Sequence, residues 1–303
     1  MIVALSGGIG GAKLALGLTT VLPHGELTVI ANTGDDFTHL GLEISPDIDT
    51  LLYTLAGLDN PALGWGRRDE TWSAMETLAA LGGPDWFRLG DRDLALHLWR
   101  TAALRAGAPL SRVTADLAAR LQIATRILPA ADAPVRTMLR TDQGWLAFQE
   151  YFVHRGCAPV LHELRFDGAD AAAPAPGVVA AIAAARAVVI CPSNPFISLG
   201  PILAVPGIRD ALAATTAPVI AVSPILAGRA VKGPTAKMMA ELGLPVSARA
   251  VAEHYGGLLD VFVAEPEDAP TLTDLPVRVI SAPILMRSLT EKTALARVIL
   301  GAL

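Results

Sequence analysis

Short apolar runs recur along the chain, each followed by a polar or glycine-rich loop: IVAL at 2–5, LTVIAN at 27–32, AVVIC at 187–191, PVIAVS at 218–223, DVFVAE at 260–265 and VRVIS at 277–281. Runs this short, apolar on both sides and rich in β-branched residues, predict strands buried on both faces. Helix-like segments such as AKLALGLTTVL at 12–22 lie between several of them. The alternation predicts an α/β fold, a Rossmann-like doubly wound and mostly parallel sheet in a single domain over 1–303. The middle departs from this rhythm. Residues 68–121 carry helical periodicity without a strand-like run, as in DRDLALHLWRTAALRAG at 91–107, where Asp91 is placed to cap and Leu94, His97 and Leu98 follow at helical spacing. A helical insertion over about 66–122 is expected, covering one end of the sheet. Between 124 and 165, stretches such as GWLAFQEYFVHRG predict a small antiparallel extension, and DGADAAAPAPG at 167–177 predicts a loop.

Composition narrows the function classes. With 52% hydrophobic and 17% charged residues the chain has ample core and no signature of disorder. A net charge of −5 argues against a nucleic-acid surface. Cys157 and Cys191 are too few for a disulfide scaffold or a cysteine zinc site. The longest apolar tract, GVVAAIAAARAVVI at 177–190, is too short for a bilayer and holds Arg186. No signal-peptide pattern precedes the first strand, so a cytoplasmic protein without membrane or nucleic-acid partners is expected.

In open α/β sheets ligands sit beyond the carboxyl ends of the strands, and here those positions carry the polar loops. The first is SGGIGGAKLALGL at 6–18. It suits an anion at a helix N-terminus, yet matches neither stock phosphate motif: Lys13 is flanked by Ala12 and Leu14, and Lys13 stands where a dinucleotide fingerprint ends in glycine. The alternative is a turn whose glycines permit positive φ and close packing. The second loop, NTGDD, brings Asp35 and Asp36, and DIDT at 47–50 adds Asp47 and Asp49. Carboxylates beside a phosphate loop suit Mg²⁺, although Ser45-Pro46-Asp47 also reads as the cap and first turn of a helix. In CPSNPFISLG, Ser193 and Asn194 sit on a proline-stiffened frame that either reads a ligand or is a structural turn. Arg229, Lys232 and Lys237 in AGRAVKGPTAK suit polyphosphate or solvent equally. Trp65, Trp72, Trp86 and Phe87 alternate with Arg67, Arg68, Arg88 and Arg92, a pattern fit to stack a flat heterocycle or to close helix ends. The six histidines show no HxH or HExxH spacing and no G-x-S-x-G elbow occurs, which disfavours zinc hydrolysis and serine-nucleophile chemistry.

Taken in order, SGGIGGAKLALGL, ANTGDDFTHLGLEISPDIDTLLYTLAG, GWGRRDETW, DWFRLGDRDLALHL, FQEYFVHR, CPSNPFISLGPILAVPGIRDAL and SPILAGRAVKGPTAKMM resemble the 2-phospho-L-lactate transferase (CofD/FbiA-like) enzymes of deazaflavin coenzyme F-420 biosynthesis. The resemblance runs through nearly the whole chain. It implies a Rossmann-like homodimer and a Mg²⁺-dependent transfer. The acceptor would be the deazaflavin Fo. The donor would be a guanosine diphosphate ester of a small acid, lactyl, enolpyruvyl or glyceryl, with GMP released. By the same resemblance Asp49, Thr50 and Arg88, beside Trp86, contact the deazaflavin. The donor's guanosine diphosphate falls to Gly7, Gly8, Gly10, Gly11, Lys13, Ser193, Asn194 and Lys232. Asp49 with Asp35 or Asp36 would hold the metal, and Asp49 or Asp36 would orient or deprotonate the attacking ribityl hydroxyl. Two rivals stand beside this reading: a non-catalytic regulator that binds a nucleotide sugar, and an NAD(P)-dependent oxidoreductase, the latter weakened by the failed fingerprint. DIDTLLYTL and WFRLGDRD favour the transferase, since a regulator needs no deazaflavin pocket.

Overall fold

The computed structural model describes residues 1–230 and 233–303. Its centre is a seven-stranded sheet, parallel throughout: β1 (Ile2–Ser6), β2 (Leu27–Ala31), β3 (Arg126–Pro129), β4 (Ala187–Ile190), β5 (Val219–Val222), β6 (Val261–Ala264) and β7 (Arg278–Ser281). From one edge to the other they run β3-β2-β1-β4-β5-β6-β7. This is the doubly wound order of dinucleotide-binding folds with one strand added. Alternate residues of the central strands enter different cores. Val3, Leu5, Ile30, Val188 and Ile190 face one side, while Ile2, Ala4, Val29, Val189 and Cys191 face the other. That division is why these strands are apolar at nearly every position, Ser6 and Thr28 excepted.

Helix α1 (Gly8–Val21) covers the second face together with α2 (Pro46–Leu55) and the C-terminal helix Leu289–Leu300. A Cβ on Gly17 would stand 2.3 Å from the Lys292 carbonyl oxygen, so α1 and the C-terminal helix cross with their backbones nearly touching. At the opposite end of the sheet, the Met1 ammonium meets Glu26 at 2.8 Å and Arg278 donates to the Ala302 carbonyl at 3.2 Å. Both chain ends therefore lie by the strands' amino ends.

The helical insertion is present as α3 (Ser73–Ala80), α4 (Asp91–Arg105) and α5 (Leu110–Arg120). Asp91 does not cap its own helix, whose N-cap is Gly90. Its carboxylate accepts from the Ser73 and Ala74 amides at 3.1 and 3.0 Å and so caps the neighbouring α3. The antiparallel extension needs a second correction. It comprises Gly144–Ala147, Arg136–Thr141 and Leu161–Asp167, whereas the first part of the expected stretch became edge strand β3. Within GWLAFQEYFVHRG only GWLA is extended, and Glu150–His154 forms one wide π-helical turn. Among the described residues no single helix is long and apolar enough to cross a bilayer.

Candidate active site at the carboxyl ends of β1, β2 and β4

Strand order reverses between β1 and β4, and the loops leaving these strands meet there. Ser193 Oγ donates to the Gly7 carbonyl at 2.7 Å and accepts from the Gly7 amide at 3.2 Å. The glycines of the first loop are explained by this meeting. A Cβ on Gly10 would lie 2.3 Å from the Pro192 carbonyl oxygen, and one on Gly11 would lie 2.3 Å from Ser6 Oγ and 2.8 Å from Ser193 Oγ. At Gly7 it would strike Ser198 Cβ at 2.5 Å and Asp47 Oδ2 at 2.9 Å. Gly8 has φ +62°, in the left-handed region. Lys13 lies in the second turn of α1, half-buried. The start of α1 is thus faced by one of the chain's own carboxylates, Asp47.

Asp47 belongs to a buried web of acids. Asn32, directly after β2, donates through Nδ2 to Asp35 Oδ1 at 2.8 Å, Asp47 Oδ2 at 2.9 Å and the Ile197 carbonyl at 3.2 Å. One NH₂ group faces three acceptors with two hydrogens. Ser45, the N-cap residue of α2, turns its hydroxyl to Asp36 Oδ2 at 2.8 Å instead of capping, and Asp36 Oδ1 is buried without a partner among the described residues. Burial and the adjacent Asp47 raise the Asp35 carboxyl well above the usual range. Burial raises Asp36 to about 7, against the pull of Arg136. Burial likewise raises Asp47 to about 6, opposed by hydrogen bonds from Asn32 and the Gly8 amide.

Asp49 is expected to hold the metal and to contact the deazaflavin, and in the structure both of its carboxylate oxygens are engaged by an arginine. Arg100 of α4, with no exposed surface, binds both Asp49 oxygens, one of them at 3.0 Å. Arg100 also donates to His97 Nδ1 at 3.2 Å, which leaves the His97 Nε2 proton for Asp93 at 3.2 Å, and Tyr53 donates to the same Asp93. A bidentate, fully buried pair satisfies Asp49 internally. Thr50 is similarly engaged, donating to the Pro46 carbonyl at 2.8 Å within α2. Arg100, Asn32 and the importance of Asp47 escaped the sequence reading. The Asp93, His97, Arg100 spacing on α4 puts all three on one helix face and was the available signal.

Other expected residues divide. Asn194 is at the site, but its Oδ1 accepts from the Phe196 and Ile197 amides at 2.9 and 3.3 Å, as a structural turn requires. Trp86 stacks on His154 with centroids 5.0 Å apart and meets His39 edge-on at 4.9 Å, beside Phe37 and Phe87. Arg88 is exposed and lies 4.4 Å above the Trp72 ring. Lys237 is held by Glu241, the Tyr151 hydroxyl and the Pro159 carbonyl. Lys232 lies outside the described residues. A surface recess of about 670 Å³ lies elsewhere, between α3 and α4 and lined by Leu78, Leu81, Leu94 and Leu98.

The acid web fits a divalent cation in one respect: three buried carboxyls, Asp35, Asp36 and Asp47, share few positive partners, and one oxygen has none. Among the described residues no three acidic, histidine or cysteine side chains close into a ready-made cage. Magnesium commonly takes one or two carboxylates and completes its shell with water and substrate phosphate, which this arrangement permits.

Comparison with known proteins gives three findings. The family described as 2-phospho-L-lactate transferase CofD matches residues 2–275. A phosphoenolpyruvate transferase of Streptomyces griseus is 44% identical, covering 98% of this chain and 96% of its own, and one of Streptomyces coelicolor is 43% identical with the same coverage. A crystal structure of a Bacillus halodurans protein superposes with a TM-score of 0.67 at 18% identity, covering 99% of this chain and 98% of that one.

Proposed function

Because this chain belongs to the 2-phospho-L-lactate transferase CofD family and is a transferase, we propose that it moves a phospho-acid group from a guanosine diphosphate ester to the ribityl hydroxyl of the deazaflavin Fo, releasing GMP, in coenzyme F-420 biosynthesis. Membership sets aside the regulator and the oxidoreductase. The name carried by the relatives favours the enolpyruvyl ester as donor. The observation that carries the reading is the cluster of buried carboxyls after β2, in which Asn32 joins Asp35 to Asp47 and Asp47 faces the start of α1 near the switch point of the sheet.

In this reaction the terminal ribityl oxygen bonds to the phosphorus that bears the acid. The phosphorus–oxygen bond to GMP breaks, GMP leaves with that oxygen, and the hydroxyl proton passes to a base. Asp36 suits the last role, because a carboxyl held near 7 by burial both accepts and returns a proton at neutral pH. Asp49, closed by Arg100, positions α2 against α4. Asp35 and Asp47 would hold Mg²⁺, which neutralises diphosphate charge when bound. Gly7 and Gly8, with Ser193, form the floor on which the diphosphate rests, and Trp86 with His39 offers the planar ring an apolar wall. A homodimer belongs to the same proposal and is checked by the protein's mass in solution. The deciding experiment incubates the protein with Mg²⁺, Fo and each of the three esters in turn. Mass spectrometry should find a phospho-acid adduct of Fo together with GMP, greatest with the enolpyruvyl ester. Free GMP without an Fo adduct would refute the acceptor.

A further inference from the structure

All three candidate donors carry a carboxylate beside the phosphate, and a carboxylate entering a site already rich in buried acids needs a cation of its own. Several cations that could serve are already committed. Arg100 is fully buried on Asp49, Lys237 is held by Glu241, Tyr151 and Pro159, and Arg88 rests on Trp72. Arg136 differs. It opens the strand Arg136–Thr141 and is half-buried, and among the described residues its guanidinium makes one hydrogen bond, from Nη1 to the Val135 carbonyl at 3.1 Å. Nε and Nη2 are left over, with Nε and Nη geometry suited to a two-point grip.

The backbone around Arg136 is fixed to the site. The Thr137 amide donates to the Gly34 carbonyl at 2.9 Å, and a Cβ on Gly34 would lie 2.7 Å from Thr137 Oγ1. Gly34 is the middle of the loop that carries Asp35 and Asp36. Val135, Thr137 and Leu139 point into the core, so strand alternation leaves Arg136 on the other face, where its charge is felt by Asp36. Building on the transferase reading above, we propose that Arg136 receives the carboxylate of the small acid on the donor and so selects for acid-bearing esters.

The test compares binding of two ligands, GDP, which lacks the acid, and the enolpyruvyl ester of guanosine diphosphate, to wild type and to Arg136→Gln by isothermal titration with Mg²⁺ present. Arg136→Gln should weaken the ester about tenfold or more and leave GDP within about twofold, and Arg136→Lys should recover part of the loss. In turnover the donor KM should rise while the Fo KM holds. Unchanged ester binding overturns the inference, as does an equal loss for GDP and ester, since that marks a general phosphate contact. An unchanged thermal midpoint in Arg136→Gln separates these outcomes from misfolding, and should it fall, the Arg136→Lys ester-to-GDP ratio decides on the same criteria. If the wild type binds GDP and transfers nothing to Fo, the transferase reading fails; a working wild type with an indifferent Arg136 fails this inference alone.

Discussion

Arg100 shows how one side chain can decide what a cluster of acids is able to do. Its guanidinium closes Asp49 and leaves Asp35, Asp36 and Asp47 as the carboxyls without a full partner. Arg100→Met should therefore cost about 3–5 kcal/mol, because a buried carboxylate is left alone, and Asp49→Leu combined with Arg100→Met should recover most of it. Urea unfolding of the two variants against wild type measures both. Asp47→Asn keeps the shape and the Asn32 contact but removes charge from the start of α1, so turnover should fall at least about tenfold, or about 1.4 kcal/mol of barrier, with the unfolding midpoint not lowered. Acidity gives a further expectation. Asp36 and Asp47 have folded-state values raised to about 7 and about 6. A raised value means that the folded protein holds more protons than the unfolded chain above the ordinary aspartate value near 4. Stability from these groups therefore falls as pH rises from about 4 to about 7. In chelator the thermal midpoint should drop across that window, and added Mg²⁺ should lessen the drop.

At the level of elements, the glycine loop is a joint between α1 and the loop after β4. Gly10→Ala forces a methyl against the Pro192 carbonyl, which is backbone and cannot swing aside. The variant should lose about 1–3 kcal/mol, read from its urea midpoint. Asp91→Ala should loosen α3 while sparing α4, visible as faster amide exchange confined to Ser73–Ala80. These two cases also mark what was legible beforehand. The strands after Ile2, Leu27, Ala187 and Val219 could be read because local apolar runs and buried parallel pairing coincide. Edge strand β3 was missed because Arg126–Pro129 is short and borders the antiparallel strands in sequence. Asp91 was correctly seen as a capping residue and assigned to the wrong helix, since a cap across 18 residues leaves no local pattern. Asp49 looked available for the same reason: its partner lies 51 residues away on another helix.

For the molecule as a whole, the reading that the sheet's switch point gathers the site could be made from the sequence, because every informative loop followed a strand. What could not be read was which acids the fold would pair off, as that depends on α4 packing over α2. A ligand pair that binds only the folded state should raise stability together, and GDP at about one hundred times its dissociation constant should add about 2.7 kcal/mol by mass action, measurable as a shift in the thermal midpoint. One further property follows from Met1 lying against Glu26 and Ala302 against Arg278. A purification handle or a fused partner enzyme joined beside Met1 or Ala302 would sit at the strands' amino ends, remote from the loops where chemistry is expected, and so would leave those loops open to substrates.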